Sequence, residues 1–252
     1  MPSDTVPPAD REVLRALAGE IAAIAALPVQ RERTELWRRL NRLQPVRPLV
    51  WINEIPWHEM NVDDELTPRC AEPWCRGLET GMRMLLYQWR HMPGDMVVSD
   101  YLDSPLAIRS TGLGIDEDVD VVRTDPASGV VSRHYHRQIA EPEDICKIKV
   151  PQVTHDEQAS QANYEKMVAL FGDILPVRKV GRKGTWFAPW DFLIRLWGVE
   201  EAMLDMVDRP RMVNDAMSHL VDCYLAELDQ WEALNLLTPN NDNTRVGSGG
   251  YG

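Results

Sequence analysis

Apolar positions recur at helical spacing over most of the chain, and a few apolar runs too short for a helix break that rhythm. Val13, Leu14, Leu17, Ile21 and Ile24 predict a helix over 9–27, which Pro28 stops. A second amphipathic helix is expected over 31–43, with Leu36, Trp37, Leu40 and Leu43 on one side. Its other side carries Arg31, Arg33, Arg38, Arg39 and Arg42, a basic face that is either simply solvated or able to grip an anion. Residues 63–92 read as helix in pieces around Pro68 and Pro73, with Leu78, Met82, Leu85, Leu86 and Trp89 as the inner stripe. Further helices are expected over 154–172, 192–197 and 200–207. Pro210 opens the longest one, marked by Val213, Met217, Leu220, Tyr224, Leu228 and Trp231.

Four short apolar runs remain: 48–52, 96–98, 173–177 and 234–237. Each is bounded by turn residues and reads as a buried strand. Strands that alternate with helices predict an α/β chain with a parallel sheet. Four strands are half of what a closed (β/α)8 barrel needs.

The stretch 94–106, GDMVVSDYLDSPL, is the centre of this pattern. Met96, Val97 and Val98 run directly into Ser99, Asp100, Tyr101 and Asp103, and Pro105 bars continuation of the strand. This is either a strand end carrying a reactive carboxylate, where α/β proteins place their chemistry, or a helix N-cap made by Asp100 or Ser104. Asn53, Glu54, Pro56, Trp57, His58 and Glu59 crowd the end of the 48–52 run in the same way, as a pocket wall or as a solvated turn.

Residues 119–139 predict a β-hairpin turning at 125–129, with His134 and His136 on one face. Two histidines without further ligands are expected to form a polar face, not a metal site. The glycines of Gly181-Arg-Lys-Gly184 lack the spacing of a phosphate loop. Trp186, Phe187 and Trp190 either stack on a flat ligand or roof the core, and the roof is the expectation.

Composition narrows the class. The 252 residues are 44% hydrophobic and 26% charged, as in a soluble globular chain. A formal net charge of -12 argues against nucleic-acid and anionic-membrane partners. No apolar run approaches the roughly 20 residues of a membrane span, and the N-terminus has no signal-peptide pattern, so the expected location is the cytoplasm. The four cysteines are then expected as free thiols. Cys70 and Cys75 enclose four residues, a zinc-compatible spacing with no second close pair to complete it.

Several motifs, taken in order, resemble the uroporphyrinogen decarboxylase superfamily, which includes methyltransferases acting on corrinoid proteins. Val98-Ser-Asp-Tyr-Leu102 with Pro105 and Gly112 is similar to that family's F-S-D-I-L strand end. Ala188-Pro-Trp-Asp-Phe192 is similar to its G-x-P-W-T-L motif. Val50-Trp51, the proline-opened helix at Arg209-Pro210 and the run 234–237 fall in matching order, so the likeness spans roughly residues 45–240. It implies a TIM-barrel-like (β/α)8 fold of which this chain holds the first half. Residues 1–45 would be an N-terminal helical extension and 46–252 a partial barrel, with the hairpin at about 119–139 as an insertion. On its own such a half-barrel is expected not to be a stable, active monomer.

The resemblance also implies a site. Asp100 would position or protonate substrate, with Glu54 and His58 opposite it in one cavity. Asn53, Trp57, Tyr101, Trp190 and Arg195 would bind substrate. The departures choose between branches of the family. Where the decarboxylases carry an arginine-bearing R-Q-A-G-R segment, this chain has Glu54-Ile-Pro-Trp-His58, and the tyrosine after P-W falls near Arg195. A polycarboxylate would meet an anion there, which disfavours uroporphyrinogen.

Methyl transfer fits by elimination. The family's zinc ligands, His-x-Cys and a further Cys, would lie past residue 252. With no D-x-H-x-x-G motif present, a corrinoid would come on a partner protein. The expected partners are thus a small-molecule substrate and a corrinoid protein, and a homodimer is compatible with the sequence. A divergent decarboxylase and a non-catalytic binding protein on the same barrel are the alternatives.

Overall fold

The computed structural model describes residues 6–125, 131–239 and 250–251. It is mixed α/β, with helices dominating and a few short strands. The chain divides into two compact units that share it discontinuously: 1–105, 157–184 and 238–252 form the first, and 106–156 and 185–237 the second.

In the first unit, α1 (Pro8–Ala25), α4 (Pro73–His91) and α5 (Glu157–Phe171) build the main core. The stripe predicted for α1 is the one it buries: Leu14, Ala18, Ile21 and Ile24 pack with Met82 and Leu86 of α4 and with Leu170 and Phe171 of α5. The expected N-terminal extension therefore shares the core of residues far along the chain, and no division falls near residue 45. Helix α2 (Pro28–Asn41) buries only Gln30 and Trp37. The stripe expected there is mostly exposed, with Leu40 38% and Leu43 93% accessible. The helix stops at Asn41, and Leu43 adopts a left-handed backbone (φ 57°) that turns its side chain outward.

Strands β1 (Leu102–Pro105) and β6 (Val177–Val180) pair in parallel, the chain between them running through residues 106–156 of the second unit before it returns by α5. Two of the expected strands begin later than their apolar runs. Met96, Val97 and Val98 are buried as expected, but their backbone is taken by side chains of α2: Val98 N donates to Gln30 Oε1 (2.9 Å) and Arg33 Nη1 donates to Met96 O (3.0 Å). Residues 173–176 close the end of α5, where Ile174 N and Leu175 N donate to Phe171 O.

The run 48–52 is not a ladder strand either. Asp95 takes the neighbour's place: its N donates to Val50 O (2.7 Å), and its Oδ2 accepts from Val50 N (2.8 Å). A bidentate contact from Arg47 holds that buried carboxylate below its ordinary pKa. Gly94 makes the approach possible. Its φ is +47°, and a Cβ there would lie 2.6 Å from Val50 O. Gly94→Ala is expected to lower stability by about 1–3 kcal/mol, through left-handed strain and the displaced Val50 carbonyl. A urea melt measures this, and an unchanged midpoint would show that the turn relaxes freely.

In the second unit, α6 (Pro189–Trp197), α7 (Val199–Asp208) and α8 (Pro210–Ala233) bury Leu193, Leu196, Trp197, Met212 and Leu220 together. Gly198, at φ 93°, makes the break between α6 and α7 that the sequence marks. Strands β2 (Ile108–Ser110) and β5 (Val153–His155) pair antiparallel. So do β3 (Val119–Val122) and β4 (Ser132–Tyr135), in the register Val119↔Tyr135, which is the predicted hairpin. Residues 126–129 of the expected turn lie outside the described residues. The run 234–237 is not a strand but the turn that ends α8: Leu234 N donates to Gln230 O, and Leu236 is buried with Trp231.

Among the described residues the strands form three separate pairs and close no barrel. No helix among them is long and apolar enough to cross a membrane.

Candidate functional site

The segment 97–103 lies between two clefts of the first unit and contributes side chains to both. Val98 and Asp100 open on a cleft of about 640 Å³ that is closed by the basic side of α2, with Arg31, Thr34 and Arg38 facing it. Tyr101 and Asp103 open on a second cleft of about 420 Å³, bounded by Leu78, Met82 and Leu85 of α4 and by Lys183. Val97 and Ser99 border both.

In the first cleft Asp100 is exposed, and no hydrogen bond or ion pair among the described residues engages it. Gln30 anchors the wall from behind through Val98 N, and Trp37 Nε1 donates to Asp95 O (2.8 Å), so the backbone under Asp100 is held at two points. Arg31 and Arg38 come from the face that sequence reading left open between solvation and anion binding. The cleft puts both arginines on the same wall as Thr34.

In the second cleft Asp103 is flanked by two cations. Lys183 Nζ donates to its Oδ2, and Arg178 Nη2 stands 3.7 Å from its Oδ1, Arg178 being its register partner on β6. The Arg178 guanidinium lies 3.2 Å from the centre of the Tyr101 ring, within stacking range.

The other expected site residues lie elsewhere. Glu54 has a left-handed backbone (φ 54°), is exposed, and accepts from Asn53 Nδ2 (3.1 Å). His58 lies on the single turn α3 (Trp57–Met60), 3.3 Å from Glu59 Oε1. Trp57 meets Tyr87 edge to face, 6.1 Å between ring centres. None of these four lines either cleft, so the expected grouping of Glu54 and His58 with Asp100 is not formed there. Trp190 and Arg195 belong to α6 of the second unit. Trp190 packs on its core, and Arg195 Nη1 stands 3.5 Å from Glu117 Oε2. Trp186, expected to roof the core, is 75% exposed, while Phe187 packs edge to face on Tyr224 (4.7 Å).

The residues bear on metal binding as well. Cys70 and Cys75 are buried free thiols. Burial, reinforced by Glu79 at Cys70 and by Glu72 at Cys75, pushes both up to about 12, the opposite of what a thiolate ligand needs. His134 and His136 meet edge to face with ring centres 5.4 Å apart, and His136 Nε2 pairs with Asp120 Oδ2 (3.0 Å). Among the described residues no group of three His, Cys, Asp or Glu is arranged to hold a metal ion. Among the described residues, the protonated thiols and the paired histidine therefore do not fit a zinc site.

Sequence reading missed Asp103 and Lys183 as site residues. Asp103 lies two positions after Tyr101, on the same side of the strand, a signal that alternation carries. Lys183 sits in the Gly181–Gly184 stretch, whose glycines lack the spacing of a phosphate loop, and its pairing across 80 residues has no local signature.

No family model matches the sequence, and the curated proteins and the solved structures yield no match.

Proposed function

We propose that this chain is the amino-terminal part of a cytoplasmic enzyme of the uroporphyrinogen decarboxylase superfamily, built on a (β/α)8 barrel. On this reading the whole enzyme transfers methyl groups from a small organic substrate, with a corrinoid carried by a partner protein. One observation carries the reading: Asp100 stands unpaired among the described residues on a cleft wall that leads, two residues later, into the parallel pair β1–β6. Barrels of this kind gather their chemistry at the carboxyl ends of strands, whereas Asp100 precedes β1 at its amino end, so the reading draws on the family resemblance and on the free carboxylate and not on a strand-end position. Asp100 would hold or move a proton at the substrate, and Thr34 and Ser99 are within the same cleft to orient polar atoms.

Arg31 and Arg38 favour a second reading. Glu54 does not line the cleft that contains Asp100, and the opposite side of that cleft carries Arg31 and Arg38 with Glu35 between them. Those cations could offset a substrate carboxylate, and a divergent decarboxylase would use them so.

An anaerobic assay run on two arms separates these readings. One arm supplies cobalamin in its reduced cob(I) form with O-, N- and S-methyl donors and follows methylcobalamin by absorbance. The other supplies uroporphyrinogen and measures decarboxylated product after oxidation. Methyl transfer alone supports the first reading and decarboxylation the second. Activity in neither arm would overturn both.

A further inference from the structure

The cleft on the Asp103 side of segment 97–103 plays no part in the reading above, and its lining selects a ligand by the absence of net charge. Most of that lining is apolar, with Leu78, Met82 and Leu85 of α4 and Met167 of α5. Its ionic part is a pair closed on itself. Lys183 Nζ donates to Asp103 Oδ2, so the cleft presents one cation and one anion. Arg178 does not line the cleft. It stands 3.7 Å from Asp103 Oδ1 and stacks on the Tyr101 ring.

An ion entering this cleft would leave water and find no surplus opposite charge to offset its desolvation. A hydroxyl is in a different position. Lys183 Nζ has three N–H donors and gives one to Asp103, and a carboxylate oxygen has room for more than one donor. A hydroxyl is donor and acceptor at once. It can accept from Lys183 and donate to Asp103 Oδ2 without parting the pair, and both bonds are charge-assisted.

The helix floor leaves room for the rest of such a molecule. Gly77 and Gly81, one turn apart inside α4, border the cleft, and a Cβ built on either would meet nothing within 4 Å. Glycine weakens a helix interior, so these positions keep space in front of the apolar wall at the expense of α4. A volume of about 420 Å³ falls within the range of small-molecule sites, which are mostly apolar with a few convergent polar groups.

We propose that this cleft binds a small uncharged apolar alcohol, its hydrocarbon body against Leu78 and Leu85 and its hydroxyl bridging Lys183 and Asp103. An aliphatic or an aromatic body meets the same chemistry, so the test carries one of each, 1-octanol and 2-naphthol. Each is paired with the carboxylate and the ammonium ion built on the same body.

Isothermal titration of the full chain at neutral pH is the measurement. At least one alcohol should bind the wild type with a Kd below about 1 mM, and both of its charged counterparts should bind about tenfold more weakly. Lys183→Met keeps the bulk and removes the donor, so it should weaken the bound alcohol by about tenfold or more. Gly81→Leu places a side chain in the open space and replaces a poor helix former by a good one. It should abolish binding while leaving the thermal melt at least as high as in the wild type. The two variants act at opposite ends of the ligand, so each tests the proposal by itself. The proposal is overturned if neither alcohol binds the wild type, if a charged counterpart binds as tightly as the alcohol, or if either folded variant keeps wild-type affinity.

Discussion

Replacing Glu79 by alanine is expected to destabilise the first unit by about 3–5 kcal/mol, the range for removing one partner of a buried charge pair. Glu79 is fully buried in α4. Its two oxygens accept from Arg69 N (2.8 Å each) and Cys70 N (2.7 Å), and Oε1 also accepts from Arg83 Nε (2.7 Å). Burial alone would raise its pKa, but those donors hold it below the ordinary value. Alanine would leave a nearly buried guanidinium and two amides without their acceptor.

The pH dependence has a definite sign. A depressed folded-state pKa gives stability that is present above the unfolded value and lost as pH falls through the folded one, so acid should remove the wild-type advantage over Glu79→Ala. Urea unfolding at neutral pH, with hydrogen exchange read at the Arg69 and Cys70 amides, checks both the size and the place. A loss under about 1 kcal/mol would mean that the loop before α4 repacks without the carboxylate.

Asp205 plays the corresponding part in the second unit, and Asp205→Ala is expected to cost about 3 kcal/mol there. It is buried, and it accepts from Trp197 Nε1 (2.8 Å), Arg209 Nε (2.7 Å) and Arg137 Nη2 (3.0 Å), thereby tying α6, α7 and the segment after β4 to one another. The two arginines are about one-third exposed, so water screens part of the attraction, which places the expectation at the lower end for buried pairs. The hydrogen bond from Arg209 lowers its pKa, so this contribution too is present at neutral pH and fades in acid. Urea unfolding with the Trp197 indole N–H followed by NMR is a direct probe, since that group loses its acceptor in the variant. An unshifted transition would show that Arg209 and Arg137 find other partners.

What the sequence made legible follows from where each signal resides. Helices α1 and α8 carry their apolar stripe for four turns or more, and the break at Gly198 and the hairpin register are local patterns as well. The burial of Met96–Val98 was readable, but the partner of its backbone was not. That partner is the Gln30 side chain, 68 residues earlier, and no period marks a side chain that replaces a strand. Strands β2 and β5 are three residues each, too short for alternation to register. The two-unit division escaped notice because each unit is assembled from separated stretches, and composition does not change where the chain crosses between them. At the candidate site, Asp100 was found because it ends an apolar run. Grouping it with Glu54 and His58 required knowing which loops meet, and the cleft took its other side from the basic face of α2.

The claim that Asp100 is the reacting carboxylate is tested most directly by Asp100→Asn, in whichever arm of the assay the wild type proves active. Asparagine keeps the size and cannot exchange a proton, so kcat should fall by about 10²–10⁴-fold, the range for loss of a general acid or base. Because Asp100 is exposed and engages no partner among the described residues, the melting temperature should stay that of the wild type. Turnover that persists at the wild-type rate in Asp100→Asn would contradict the account.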